Sequence, residues 1–240
     1  MIKSIVLLTF YYQGRQRLPS SITDAYHTLQ WAHHHHLPVT WYLDHFPSHL
    51  YDPIMAAFFA THPPQLMGEV TEILHQVPPY SLVIISGHGH PEGLLLSSSG
   101  EDLLPWSHLV TSLRHPDIIM VLDGCHVPSL LPATFQKDRW YLSSVPLIPA
   151  PDRCYILTVR HPHGKVISSP GGSPLLNHVL RQLTARHHRW SQWMSDPLPH
   201  DLTLVIMSNY TILETLPSWV LTRWHFLYDH NRRIIKGEEI

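Results

Sequence analysis

Two short stretches hold the side chains best suited to making and breaking bonds. "VIISGHG" ends an apolar run in His88, set between Gly87 and Gly89, and "IIMVLDGCH" ends another in Asp123, Cys125 and His126. A thiol and an imidazole share a chemistry: the imidazole assists thiolate formation, the thiolate attacks a carbonyl, and the imidazolium protonates the leaving amine. Gly89 leaves its backbone N–H unobstructed, and with the N–H of Cys125 it can form an oxyanion hole, worth roughly 3 to 4 kcal/mol per donor. A second chemistry uses the same stretch. His88 and His90 form a His-x-His pair, and Cys125, His126, Asp123 and Glu92 could complete the ligand set of a metal-dependent hydrolase. A third reading keeps the framework without catalysis, as a scaffold or regulatory protein.

For either chemistry the two stretches must meet, and the order of elements predicts that they do. Apolar runs rich in Val, Ile and Leu occupy residues 4–10, 39–43, 82–86, 117–123, 154–159 and 202–208. Helical patterns lie between them at 21–34, 65–76, 105–114 and 173–185. Continuous apolar strands alternating with helices indicate an α/β fold, with a mostly parallel central sheet of about six strands covered on both faces. In a right-handed crossover the strands before His88 and before Cys125 run parallel, so both turns emerge at the carboxyl edge. Adjacent strands lie about 4.8 Å apart. His88 and Cys125, 37 positions apart in the chain, are thereby expected side by side where α/β sheets bind ligands. The segment "LLLSSSGED" between them reads as hairpin-like.

The 240 residues, 44% hydrophobic and 14% charged, suffice for one domain with a substantial core. A net charge of -2 gives no electrostatic basis for binding nucleic acid or an anionic membrane. The 22 histidines outnumber the 16 Lys and Arg, so mild acid would make the chain strongly positive. Two cysteines are too few for a disulfide framework and suit a reducing, cytoplasmic setting. The opening "MIKSIVLLTF" reads as a buried first strand rather than a leader, and no apolar run is long enough to span a bilayer. The 22 prolines cluster around "PSLLPATF" and "VPLIPAPDR", read as irregular loop. The "HHHH" run, 33–36, reads as a helix terminus where imidazolium suits the local dipole. The aromatic-rich C-terminal quarter is expected to be mostly core.

The two boxes resemble those of the caspase-like cysteine peptidases, and most of all the metacaspases. That family places His-Gly after one hydrophobic strand and Asp-x-Cys after the next. "SSITDAY" is similar to the family's Cys-x-Asn-Asp-Ala box, retaining Asp24 and Ala25, with Ser21 and Thr23 where the family usually has Cys and Asn. "YILTVRHPHGKVISSPGGSPLLNHVLRQL" resembles the family's strand, loop and Gly-Gly helix start. The resemblance covers roughly residues 2 to 185 and implies a three-layer αβα sandwich. It divides the single domain, 1–240, into a large-subunit-like part (1–127), the Pro-rich loop (128–153) and a small-subunit-like part (154–240).

It further implies that Cys125 is the nucleophile, His88 the general acid/base, and Gly89 with Cys125 the oxyanion donors. Asp24, Ser86 and Asp123 map onto the family's acidic specificity pocket, which fits the residues' own chemistry: paired carboxylates attract guanidinium or ammonium and repel an acidic side chain. The expected substrate is therefore a protein or peptide cleaved after Arg or Lys. Asp24 has a plainer alternative, favouring the N-terminal turn of its own helix. The family's calcium loop is Asp-rich, whereas "PEGLLLSSSGEDLL" offers only Glu92, Glu101 and Asp102, so no cofactor is expected. Val127 and Pro128 stand where the family has Ser-Gly after Cys-His. No prodomain is expected, Lys137, Arg139 and Arg153 are candidate self-cleavage points, and a monomer is favoured.

Overall fold

The computed structural model describes residues 2–47, 52–131, 133–136, 139–142, 150–151, 153–160, 171–185, 187, 189–199 and 202–208. Their strands in chain order are β1 (Ser4–Thr9), β2 (Val39–Leu43), β3 (Gln65–Leu66), β4 (Ser81–Ser86), β5 (Gly89–His90), β6 (Gly93–Leu95), β7 (Leu103–Pro105), β8 (Ile118–Asp123), β9 (Ala133–Gln136), β10 (Arg139–Leu142), β11 (Cys154–Arg160) and β12 (Thr203–Ser208). The helices are α1 (Ser20–His34), α2 (Pro53–Thr61), α3 (Val70–His75), α4 (Trp106–Thr111), α5 (Pro174–Ala185) and α6 (Trp190–Ser195). No helix among the described residues is long and apolar enough to cross a membrane.

The main sheet runs β10-β9-β12-β11-β8-β4-β1-β2-β3. From β11 to β3 all neighbours are parallel, while β12, β9 and β10 add antiparallel pairs. Alternation along each strand divides the core in two. Ile5, Leu7, Leu82, Ile84, Ile119, Val121, Tyr155 and Leu157 pack toward α1, α5 and α6. Val6, Leu8, Val83, Ile85, Met120 and Ile156 pack toward α3 and α4. Apolar side chains on both faces explain why these strands read as continuous hydrophobic runs. The fold is thus α/β, with helices on both sides of a mostly parallel sheet, and its six long strands lie at the six expected places.

Three expectations change. Residues 65–76 are not one helix: Gly68 follows a two-residue edge strand, whose Leu66 is 82% exposed, and α3 begins only at Val70. The helix expected over 105–114 is confined to α4, because Pro105 ends β7 instead. The Pro-rich loop contains the β9–β10 hairpin, whose first strand extends the sheet beside β12. Helix α2 was not anticipated, although its signal is local. The Asp52 carboxylate accepts N–H bonds from Ile54 and Met55, and Pro53 occupies the first helical position. Helix α1 ends in the histidine run as expected, with His33 and His34 in its last turn. Trp190 and Trp193 are core residues, while Trp219 and Trp224 lie outside the described residues.

The central strands should dominate stability. Ile84 is fully buried in β4, between β1 and β8. Ile84→Ala is expected to cost about 3 to 5 kcal/mol by urea denaturation.

Candidate active site

Strand order brings the chemistry to one place. The sheet's order reverses between β1 and β4, and β8 follows β4, so the carboxyl ends of these three strands form a crevice of the kind that binds ligands. Parallel register aligns Thr9 with Ser86 and Ser86 with Asp123. Three residues beyond each alignment, the chain reaches Tyr12, Gly89 and His126. His88 and Cys125 thus belong to adjacent turns. Gly87 N–H donates to the Asp123 carbonyl at 3.1 Å, carrying the pairing past the strand ends.

The two turns touch through their backbones at Gly89. A Cβ there would overlap the Cys125 carbonyl and lie 2.7 Å from the Cys125 nitrogen, so only glycine fits. Gly124 is less confined, a Cβ there lying 3.2 Å from the Gly87 carbonyl oxygen. His126 follows Cys125 with φ of 59°, a left-handed conformation that costs a non-glycine residue about 1 kcal/mol or more. Val127, where the resembled family has Ser, is buried in the second core cluster with Leu130 and Leu131. It anchors the loop beyond Cys125.

His88 is partly exposed, and its side chain is held on two sides. Its Nε2 lies 2.8 Å from the carbonyl oxygen of Gln16, which can only accept, so Nε2 carries a proton and Nδ1 is the remaining nitrogen for proton transfer. Its ring stacks on Tyr12 with centroids 4.9 Å apart. Cys125 is partly exposed at its turn. The other thiol, Cys154, is buried at the start of β11, and burial pushes it up to about 12, which suppresses its thiolate.

The three acidic-pocket candidates also come together. Ser86 Oγ–H donates to Asp24 Oδ2 at 3.0 Å and lies 3.5 Å from Asp123 Oδ2. Ser173, which sequence reasoning had not singled out, completes the cluster. Its N–H donates to Asp24 Oδ1 at 2.6 Å and its side chain hydrogen-bonds Asp123. Its Oγ also accepts the Leu176 N–H in the first turn of α5. Gly172, at φ of 88°, shapes the turn before it, where a Cβ would lie 2.7 Å from Asp24 Oδ1. Asp24 therefore does not serve its own helix. It is fully buried, with one oxygen bonded to Ser86 and the other to Ser173. Burial, and next the Asp123 carboxylate, hold Asp24 above the usual carboxylate range. Burial also raises Asp123, opposed by hydrogen bonds from Ser173 and Ser86. Asp123, the last residue of β8, is partly exposed as a residue.

The candidate metal ligands do not converge. Among the described residues, no group of three or more His, Cys, Asp or Glu side chains is placed to hold an ion. His90 is exposed in β5, with its Nδ1 accepting the Glu92 N–H at 3.3 Å. Glu101 and Asp102 are exposed between β6 and β7. Of the candidate self-cleavage points, Lys137 lies outside the described residues, Arg139 begins β10, and Arg153 pairs with Asp117 at 2.6 Å.

Neither a known protein family nor a curated protein matches the chain by sequence. Solved structures do match by shape. Caspase-1 from Spodoptera frugiperda is 11% identical, with a TM-score of 0.46 over 87% of this chain and 88% of the other. Protein GSU0716 from Geobacter sulfurreducens is 10% identical, with a TM-score of 0.50 over 91% of this chain and 97% of the other. At such identities the likeness concerns the fold alone.

The acidic pair makes stability depend on pH. A carboxyl whose folded value is raised contributes stability that is complete below its unfolded value, near pH 4, and lost as pH rises through the folded value. Asp24→Asn removes this loss. From pH 5 to pH 9 the stability of the native chain should fall relative to Asp24→Asn by more than about 1.4 kcal/mol, the equivalent of one pKa unit. Urea midpoints across that range measure the difference.

Proposed function

We propose that the chain is a cysteine endopeptidase that cleaves after Arg or Lys through His88 and Cys125. The observation that carries this reading is the backbone contact of Gly89 with Cys125, which sets the imidazole-bearing turn against a partly exposed thiol. The resemblance of both boxes to those of metacaspases supports it, as does their place at the carboxyl edge of an α/β sheet.

In this mechanism the Cys125 proton passes to Nδ1 of His88, while the Gln16 carbonyl accepts from Nε2–H and favours the imidazolium. The thiolate attacks the scissile carbonyl carbon. The N–H groups of Gly89 and Cys125 receive the oxyanion. On collapse the C–N bond breaks, the imidazolium gives its proton to the leaving amine, and the acyl group remains on Cys125 as a thioester. Water, deprotonated by His88, then attacks the thioester carbonyl; the C–S bond breaks, the proton passes from His88 to the Cys125 sulfur, and the new carboxyl product leaves.

The preceding side chain is read by Asp123, with Ser86 and Ser173 orienting its carboxylate and Asp24 lying behind it. A guanidinium can form two parallel bonds with a carboxylate, whereas an acidic side chain would set another carboxylate against Asp123. We take the acting unit to be a monomer. No metal or calcium enters the mechanism, and a reducing compartment such as the cytoplasm would keep the thiol active.

Fluorogenic peptides ending in Arg and in Asp, each with and without chelator, test this directly. The Arg peptide should be cleaved and the Asp peptide spared, with no effect of chelator. Cys125→Ala should lower turnover roughly a thousandfold or more, and Asp123→Ala should lower kcat/KM for the Arg peptide by about a hundredfold. Turnover that survives Cys125→Ala and falls with chelator would instead favour the metal-dependent reading.

A further inference from the structure

One buried side chain outside the assigned set makes more contacts with the His88 turn than catalysis by a dyad requires. Tyr12 lies three residues beyond β1, on the other side of the switch point from Cys125. Its hydroxyl accepts the His88 N–H at 2.9 Å and donates to the Leu95 carbonyl at 2.8 Å. Its ring stacks against the His88 imidazole at an interplanar angle of 24°. The Leu95 N–H closes the circuit by donating to the His88 carbonyl at 3.0 Å. The His88 turn, the β6 strand and the loop after β1 thus form one hydrogen-bonded unit.

Tyr12 is held in an unfavourable conformation to do this. Its φ is 59°, a region that bulky side chains avoid at a cost of order 1 kcal/mol or more. Asp44, just beyond β2, fixes it there: one carboxylate oxygen accepts the Tyr11 N–H at 2.6 Å and the other accepts the Tyr12 N–H at 2.9 Å. Phe10 stacks on its outer side at 5.8 Å. Tyr12 is 1% exposed, and burial raises its hydroxyl well above the ordinary tyrosine value, so it stays a donor to Leu95. Packing alone would be met by Phe with ordinary backbone angles; the strained backbone and the paired hydroxyl are both directed at His88.

We propose that Tyr12 is the positioning residue of the site, its ring fixing the plane of the His88 imidazole and its hydroxyl fixing the His88 backbone to the β6 strand. This rests on the reading of His88 as the general acid/base. The role belongs to the chemical step: a mispositioned imidazole transfers protons poorly, while Tyr12's hydrogen bonds go to His88, Leu95 and Asp44 and not to the acidic cluster. The ring face also favours the imidazolium that forms beside the thiolate.

Tyr12→Phe keeps the ring and loses both hydroxyl bonds, whereas Tyr12→Leu loses the stack as well. With active sites counted by a thiol-directed Arg chloromethyl ketone, Tyr12→Phe should lower kcat per site about tenfold for two lost neutral hydrogen bonds. Tyr12→Leu should lower it about a hundredfold, the lost ring contact adding to the effect. KM for the Arg peptide should stay within about twofold, because the pocket is untouched. In proton NMR, the His88 ring resonance, assigned by its loss in His88→Gln, should move downfield in Tyr12→Leu and hold its place in Tyr12→Phe. Unchanged kcat per site in Tyr12→Phe and Tyr12→Leu, or a loss confined to KM or to the titratable fraction, would overturn the proposal. A native chain inert toward Arg peptides would fault the peptidase reading instead, and an unmoved His88 resonance in Tyr12→Leu would then still refute the contact's role.

Discussion

The close approach of two peptide backbones, Gly89 against Cys125, is the constraint on which the site depends. It follows from the sheet. Parallel pairing of β4 with β8 sets Ser86 beside Asp123, and the Gly87 N–H to Asp123 carbonyl bond carries that pairing one residue further. The chain then has no room for any side chain at Gly89. This contact sets the His88 imidazole, one residue before it, against the turn that bears the Cys125 thiol. The register that buries Ile84 and Val121 in the core also fixes the relation of the His88 turn to the Cys125 turn.

Electrostatics at the edge are arranged in depth. Asp24 is sealed and fully bonded, while Asp123 beside it takes hydrogen bonds from Ser86 and Ser173 that oppose the upward push of burial. Two carboxylates so placed resist ionising together. Relief of that opposition by a cation is the physical basis of the proposed preference for basic side chains. The start of α5 contributes as well, because Ser173 caps the helix and binds both acids.

Much of this was legible in the sequence, for definite reasons. Strands buried on both faces announce themselves as unbroken Val, Ile and Leu, so all six long strands were located and the meeting of His88 with Cys125 followed from handedness. The Asp24, Ser86 and Asp123 cluster came from resemblance, and geometry assembles it. What escaped notice depends on contacts distant in the chain. Tyr12 sits in "FYYQG", where an aromatic beside a strand reads as core, and only the fold shows its hydroxyl against His88. Gln16 acts through a backbone carbonyl, which no side-chain pattern reveals. Ser173 only begins the helical pattern at 173–185, and its bonds to Asp24 and Asp123 join residues far apart in the chain. The short edge strand at Gln65–Leu66 and the β9–β10 hairpin were hidden because two to four residues carry too little periodicity to read.

The most direct test of the central claim is covalent labelling read by mass spectrometry. The intact chain is treated with chloromethyl ketones bearing Arg or Asp, and the modified residue is mapped. A thiol activated by His88 and fronted by Asp123 predicts a single adduct on Cys125 with the Arg reagent, little with the Asp reagent, and none with either on buried Cys154. Labelling of Cys125 that is slow, equal for both reagents and unaffected by His88→Ala would contradict it.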